Sequence, residues 1–209
     1  MSATPAEAAN SRTGDKAMSV QDATTVQVTR HSFTVAEYER MGQVGIFSED
    51  DRVELVNGEI IEMSPIGEPH AACVGRLTQI ITLLLLCSAI VWVQNPIVLD
   101  DYSEPQPDVA VLKPRADFYG QAHPRPEDVL LVIEVSDTTL KYDRLVKAPL
   151  YARAGIPEVW VVNLADELVE AYVDPAEGAY RTTTTYARGE EVQSRSLAAL
   201  RVSVAEILG

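Results

Sequence analysis

Glu134 stands inside VLLVIEV (129–135), a short apolar run of the kind that forms a buried strand. An isolated ionised carboxylate costs far more to bury than its neighbours return, so Glu134 must be paired, protonated or bound to a cation. Strand alternation sets Val132, Glu134 and Ser136 on one face and Leu131, Ile133 and Val135 on the other. Earlier in the chain Asp108 follows Pro107, and a proline that cannot donate to a ladder belongs at a strand start. If the two strands pair, both carboxylates reach one sheet surface, where they repel unless a divalent cation neutralises them. Hard oxygen donors suit magnesium or manganese better than zinc. Asp143, Lys147 and Tyr151 recur four apart and share one helix face, which lets Lys147 point toward the acids. Two acids, a hard cation and a lysine are equipment for water attack on a phosphate ester: the metal acts as Lewis acid and the lysine orients water and stabilises developing charge.

Each residue also has a plainer reading. Asp108 alone fits a strand-start or turn carboxylate, Glu134 an acid satisfied by Arg or Lys, and Lys147 a solvated helix lysine pairing with Asp143. Glu54, in RVELVNG, faces opposite to Val53 and Leu55, as a surface or hairpin-edge carboxylate would. His70 heads a helix on its apolar stripe, where a satisfied core histidine is the common outcome and contact with phosphate or water the other. Gln106 and Tyr151 either orient substrate or pack. Trp92 and Trp160 read as core aromatics with satisfied indole nitrogens.

The elements that must position these groups follow from periodicity. Residues 1–30 are rich in Ala, Ser, Thr and Asp without an apolar face and are expected to be a disordered leader, with residues 31–209 forming one domain. Thr34 and Glu37 make a capping box for a short helix, and RVELVNGEIIEMS reads as a hairpin around Asn57-Gly58. From Pro69 to about Ser88 a helix shows the stripe His70, Val74, Leu77, Ile81 and Leu84. Strands are expected at 91–99, 107–112 and 129–136, then a helix near 143–154 closed by Gly155, then the strand EVWVVN. Pro149 should bend that second helix or delay its start. Beyond residue 166, ELVEAYVD and AYRTTTTYA alternate like exposed antiparallel strands, and VSVAEIL adds a last apolar piece.

Composition narrows the setting. With 17 basic against 31 acidic residues the net charge is −14, which disfavours charge-driven adhesion to nucleic acid or anionic lipid. The most apolar stretch, IITLLLLCSAIVWV, is shorter than the roughly 20 residues of a spanning helix and reads as core, so no membrane is expected. Cys73 and Cys87, placed inside one helix, would stand roughly 21 Å apart, too far for a disulfide. Without a secretory signal, a reducing cytoplasm is the expected setting.

Pro107-Asp108, Glu134-Val135-Ser136, then Asp143, Lys147 and Tyr151, followed by AGIPEVWVV, resemble the Uma-two family of the PD-(D/E)XK, or restriction-endonuclease-like, superfamily. The resemblance also takes in RVELVNGEIIEMSP and His70 and covers roughly residues 32–175. It implies an α/β fold with a helix-strand-strand-strand-helix-strand core, the order read independently above for 69–163, here with an N-terminal hairpin and extra C-terminal antiparallel strands. It further implies that Asp108, Glu134 and the Val135 carbonyl ligate the metal and that Lys147 is the catalytic lysine. Glu54, His70, Gln106, Ser136, Asp143 and Tyr151 would support them. The chain departs from the superfamily's plain pattern in carrying Ser136 two residues after the glutamate, with the lysine moved to the next helix.

The expected function is a magnesium- or manganese-dependent endonuclease cutting DNA. Phosphate contacts would centre on Lys141, Arg144 and Lys147, with Lys113 and Arg115 beyond, and a homodimer would serve to cut both strands. The rivals are an inactive interaction module of the same fold, favoured by the net charge, and a metal-dependent phosphohydrolase of small nucleotides.

Overall fold

The computed structural model describes residue 1, residues 30–48 and residues 50–209. The elements fall within the compact unit His31–Gly209, and the expected leader, apart from its two terminal residues, lies outside the described residues. The fold is a mixed α/β architecture, and over residues 68–163 its elements follow in the expected helix-strand-strand-strand-helix-strand order.

Helix α1 (Val35–Gln43) opens on the expected capping box, with Thr34 accepting from the Glu37 N–H and the Glu37 carboxylate accepting from Thr34. Strands β1 (Val53–Val56) and β2 (Glu59–Glu62) form the hairpin. Its turn residues Asn57 and Gly58 both have positive φ, 51° and 78°, as a two-residue hairpin turn requires.

Helix α2 (Glu68–Leu85) buries Cys73, Val74, Leu77, Ile81 and Leu85. Leu85 takes the place expected of Leu84, because a fourth step from Ile81 keeps the stripe facing the sheet. The helix ends before Cys87, which has φ 61° and is exposed; both cysteines are free thiols.

Strand β3 (Ile90–Val93) is shorter than the expected 91–99. Gln94 adopts a left-handed φ of 49°, turning the chain, and Pro96 cannot donate to a ladder. Strand β4 (Val109–Leu112) begins two residues later than expected, after Pro107, while β5 (Val129–Ser136) matches.

The next helix comes in pieces: α3 (Leu140–Tyr142), a π turn over Asp143–Lys147, and α4 (Ala148–Arg153). Pro149 has no N–H for the fourth residue back, and the widened turn, in which Ala148 N–H reaches the Asp143 carbonyl, carries the chain past that gap. Gly155, at φ 77°, closes α4.

Strands β6 (Glu158–Asn163), β7 (Leu168–Ala176) and β8 (Ala179–Ala187) complete a six-stranded sheet of order β3-β4-β5-β6-β7-β8, parallel only between β5 and β6. Strands β9 (Glu191–Gln193) and β10 (Arg201–Ser203) pair separately and lead into α5 (Val204–Leu208).

Side chains alternate between two cores. One face of the sheet carries Val111, Leu131, Ile133 and Val135 against α2, α5, β9 and β10. The other carries Ala110, Val132 and Val161 against Val56, Leu150, Tyr151 and the segment holding Ile97 and Leu99. Strand β8 is exposed as expected, but β7 is not: it lies between β6 and β8, and Val169 and Ala171 pack in the core that β10 and α5 close. Among the described residues no helix is long and apolar enough to cross a membrane.

Candidate active site

The β4–β5 register pairs Val109 with Ile133, so one further step sets Asp108 opposite Glu134. The Asp108 N–H approaches Glu134 Oε2 at 3.4 Å, and Asp108 Oδ2 accepts from the Val135 N–H at 2.9 Å. Two acids far apart in the chain therefore meet at one end of the sheet, as strand pairing was expected to bring about.

The same ladder exposes a backbone oxygen. Leu164 N–H donates to the Ser136 carbonyl, so even-numbered residues of β5 bond toward β6 and odd-numbered ones toward β4. Extending the β4 register places Pro107 opposite Val135. Proline has no N–H, so the Val135 carbonyl receives no ladder bond from it. The Val135 side chain packs in the opposite core, leaving the backbone as what this residue offers the site.

Lys147 comes from the π turn and is 4% exposed. Its Nζ lies 3.2 Å from Glu134 Oε1 and 3.1 Å from Glu54 Oε2. Tyr151, one turn on and fully buried, donates its hydroxyl to Glu134 Oε1 at 2.6 Å. Glu134 is thus held on one oxygen by two donors, and Oε2 is left toward Asp108. Glu54 Oε2 also accepts the Gln106 N–H at 3.0 Å, while Gln106 Nε2 reaches the Val53 carbonyl.

Two plain readings fall here. Glu54, at 1% exposure, is no hairpin-edge carboxylate, because the edge of β1 pairs with the 103–106 segment and turns inward. Lys147 is neither solvated nor paired with Asp143. Asp143 Oδ2 instead accepts from Ser136 Oγ and Thr139 Oγ1, both at 2.7 Å, which ties the start of the π turn to the end of β5.

His70, in the first turn of α2, places Nε2 3.0 Å from Asp108 Oδ2, while its buried Nδ1 has no hydrogen-bond partner among the described residues. It faces the candidate site rather than closing a core contact. Trp92 and Trp160 do satisfy their indole nitrogens, on the Pro96 carbonyl and on Glu158.

The electrostatics follow from burial and pairing. Burial pushes Glu134 up to about 8, opposed chiefly by the Lys147 ammonium and assisted by Asp143 and Asp108. Burial pulls Lys147 down, but Glu134 and Glu54 outweigh it and hold the ammonium above its ordinary range. Burial raises Asp108, yet the His70 hydrogen bond and charge, with the Val135 N–H, bring it below the usual carboxylate range. The bond to Asp108 raises His70.

These groups line a cleft of about 410 Å³ together with Arg52, Asp137, Thr139 and Tyr142. A larger open cleft of about 980 Å³ beside α1 contains none of the converging buried acids. Among the described residues no three His, Cys, Asp or Glu side chains are gathered as a metal cage. What the cleft does offer a hard cation is oxygen: Asp108, Glu134 Oε2 and the Val135 carbonyl.

Three contributors escaped the sequence reading. Tyr142 donates to Glu54 Oε1 at 3.2 Å, Gln94 Nε2 to Asp108 Oδ1 at 3.3 Å, and Arg52 lines the cleft. No spacing announces them, since their partners come from other elements. Of the expected phosphate contacts, Arg144 is engaged by Glu170, and Arg115 by Asp117 at 2.5 Å and the face of Tyr119. Lys113 and Lys141 are exposed.

A family model described as "Uma2: Putative restriction endonuclease" matches residues 35–205. Among solved structures, the fold is similar to that of a putative nuclease belonging to DUF820 from Anabaena variabilis ATCC 29413. The TM-score is 0.66 at 16% identity, covering 84% of this chain and 97% of that one. Comparison with curated proteins finds no match. The matched span contains every acid of the cleft, Lys147, His70 and Tyr151, and the chain belongs to the Uma2 family of putative restriction endonucleases.

Proposed function

We propose that this protein is a nuclease that hydrolyses phosphodiester bonds in DNA with the help of a magnesium or manganese ion. The observation that carries the reading is the convergence of Asp108, Glu134 and Lys147 in one cleft, with Glu54 as a further acid on the lysine. Asp108, Glu134 Oε2 and the Val135 carbonyl are the residues that would hold the ion. Magnesium is commonly held by one or two carboxylates and keeps several waters, so a site short of a full protein cage suits it. When bound, the ion would supply Lewis-acid polarisation of water and of a phosphate oxygen.

The chain's own residues do the rest. Tyr151 and Lys147 hold Glu134 Oε1, which fixes Oε2 toward Asp108. Val135 N–H and His70 hold Asp108 Oδ2. The Lys147 ammonium stands where it can orient water and stabilise negative charge on a transferring phosphate. Arg52, which lines the cleft, and Lys141, exposed in the helix that leads to Lys147, would meet the polynucleotide backbone, and a homodimer would present two centres to a duplex. Two free thiols, one exposed, support a reducing cytoplasm, and the compact unit His31–Gly209 supports one domain.

Purified protein incubated with supercoiled plasmid tests this. Relaxed or linear product is expected with magnesium or manganese, none with EDTA, and none from Glu134→Ala under either condition. Product that survives EDTA or Glu134→Ala would sink the metal-centred reading. The net charge of −14 and the internal pairing of Arg144 and Arg115 favour a second reading, a non-cleaving interaction module. Failure to nick plasmid with either ion selects it.

A further inference from the structure

The six-stranded sheet has two edges of different character. Strand β8 ends it with Arg181 and a run of threonines, largely exposed. Strand β3, Ile90-Val91-Trp92-Val93, ends it with no charge, no proline and no bulge, and each of its residues is half-buried. Charges, prolines and bulges are the devices that keep an edge from pairing with another chain. The backbone phase shows which groups are available. Gln94 N–H bonds the Asp108 carbonyl, so even-numbered residues pair with β4, and Val91 and Val93 turn their N–H groups away from the sheet.

Shallow troughs of about 520 and 480 Å³ flank this edge. Their walls include Gly75, Gln79 and Leu83 of α2 on one side and Phe118 on the other, and among the described residues no charged side chain lines either trough. Leu83 is 61% exposed and Phe118 67%. The sequence accounts for the lack of acids: in a chain with 31 acidic residues none falls between Pro69 and Leu99, and Arg76 within that stretch donates to the Ile207 and Leu208 carbonyls and lines neither trough.

We infer that this edge and its troughs are the contact surface for a second copy of the chain, joined by antiparallel β3–β3 pairing about a two-fold axis. Two molecules of charge −14 repel wherever acids face each other, and this neutral face lets them meet without like charges in contact. Antiparallel pairing of a strand with itself is self-complementary, which is the form an isologous contact takes. A polyanion or a basic protein finds no charge complement here. The pairing would also reach the candidate site, because Gln94 both lines a trough and donates to Asp108. The inference stands apart from the nuclease reading, since it concerns mass in the absence of substrate.

Sedimentation of the full-length protein at micromolar concentration tests it. The expected species has twice the 22.8 kDa chain mass. Leu83→Glu, on an exposed side chain, and Val91→Pro, which removes an outward N–H without touching the β4 ladder, are each expected to reduce it to 22.8 kDa with unchanged far-UV circular dichroism. A wild-type chain that sediments as a monomer overturns the inference. So does a dimer whose mass both folded variants leave intact.

Discussion

Lys147 joins Glu54 of the N-terminal hairpin to Glu134 of the central sheet, its Nζ 3.1 Å from one carboxylate and 3.2 Å from the other. All three side chains are almost wholly buried, so this contact is at once the brace of the site and its main source of positive charge. Removing the lysine leaves two acids without a cation in a low-dielectric place, where losing one partner of a buried pair costs about 3–5 kcal/mol. Lys147→Met should lower unfolding free energy by that order in urea titrations and abolish plasmid nicking. Magnesium should restore more stability to the variant than it adds to the wild type, because a divalent ion then neutralises acids that the ammonium served.

Tyr151→Phe isolates one hydrogen bond. The hydroxyl donates to Glu134 Oε1 at 2.6 Å in a fully buried position, and an unmade bond to a buried polar group costs about 1–3 kcal/mol. The fold should survive with that loss of stability. With Oε1 released, Glu134 is less firmly aimed at Asp108, and the magnesium concentration giving half-maximal nicking should rise. A variant with wild-type metal dependence would show that Tyr151 only packs.

The hairpin that carries Glu54 can be displaced without touching an acid. A Cβ on Gly58 would stand 2.6 Å from the Ser32 Cβ, at a φ of 78° that side chains rarely adopt. Gly58→Ala should therefore destabilise by about 1–3 kcal/mol in urea titrations and weaken nicking through the Glu54–Lys147 contact.

Glu104 gives stability a pH dependence outside the candidate site. It is buried, its Oε2 has no hydrogen-bond partner among the described residues, and burial, then Glu39, pushes it up to about 7. The unfolded chain ionises this group near the ordinary 4.5. Between those values the folded state holds the extra proton, so its contribution is full below about 4.5 and is lost as pH rises to about 7. The loss is about 3 kcal/mol. Glu104→Gln should match the wild type in urea titrations at pH 4 and exceed it at pH 8; equal stability at pH 8 would refute the assignment.

How much of this was legible beforehand varies with the kind of interaction. Glu134 declared itself because an acid within VLLVIEV contradicts its surroundings, and the same alternation correctly assigned the two faces of β5. Local steric rules were equally readable: the Asn57-Gly58 turn, the Thr34 capping box, and the disturbance before Pro149 that became a π turn. Strand ends were less so. The left-handed Gln94 cut β3 short, because a single dihedral outweighs the propensity of the apolar residues beyond it.

What the sequence determined by itself is the inventory and its periodicity: two acids at strand positions, a lysine and a tyrosine on one helical face, and a run from Pro69 to Leu99 without an acidic residue in a strongly acidic chain. Only the tertiary structure decided which groups meet. Glu54 read as a surface acid and Lys147 as a partner of Asp143, since spacing reports neighbours on one element and is silent about neighbours on another. Their true contact spans the hairpin, the sheet and the π turn, and it arises because the hairpin packs over the end of the sheet.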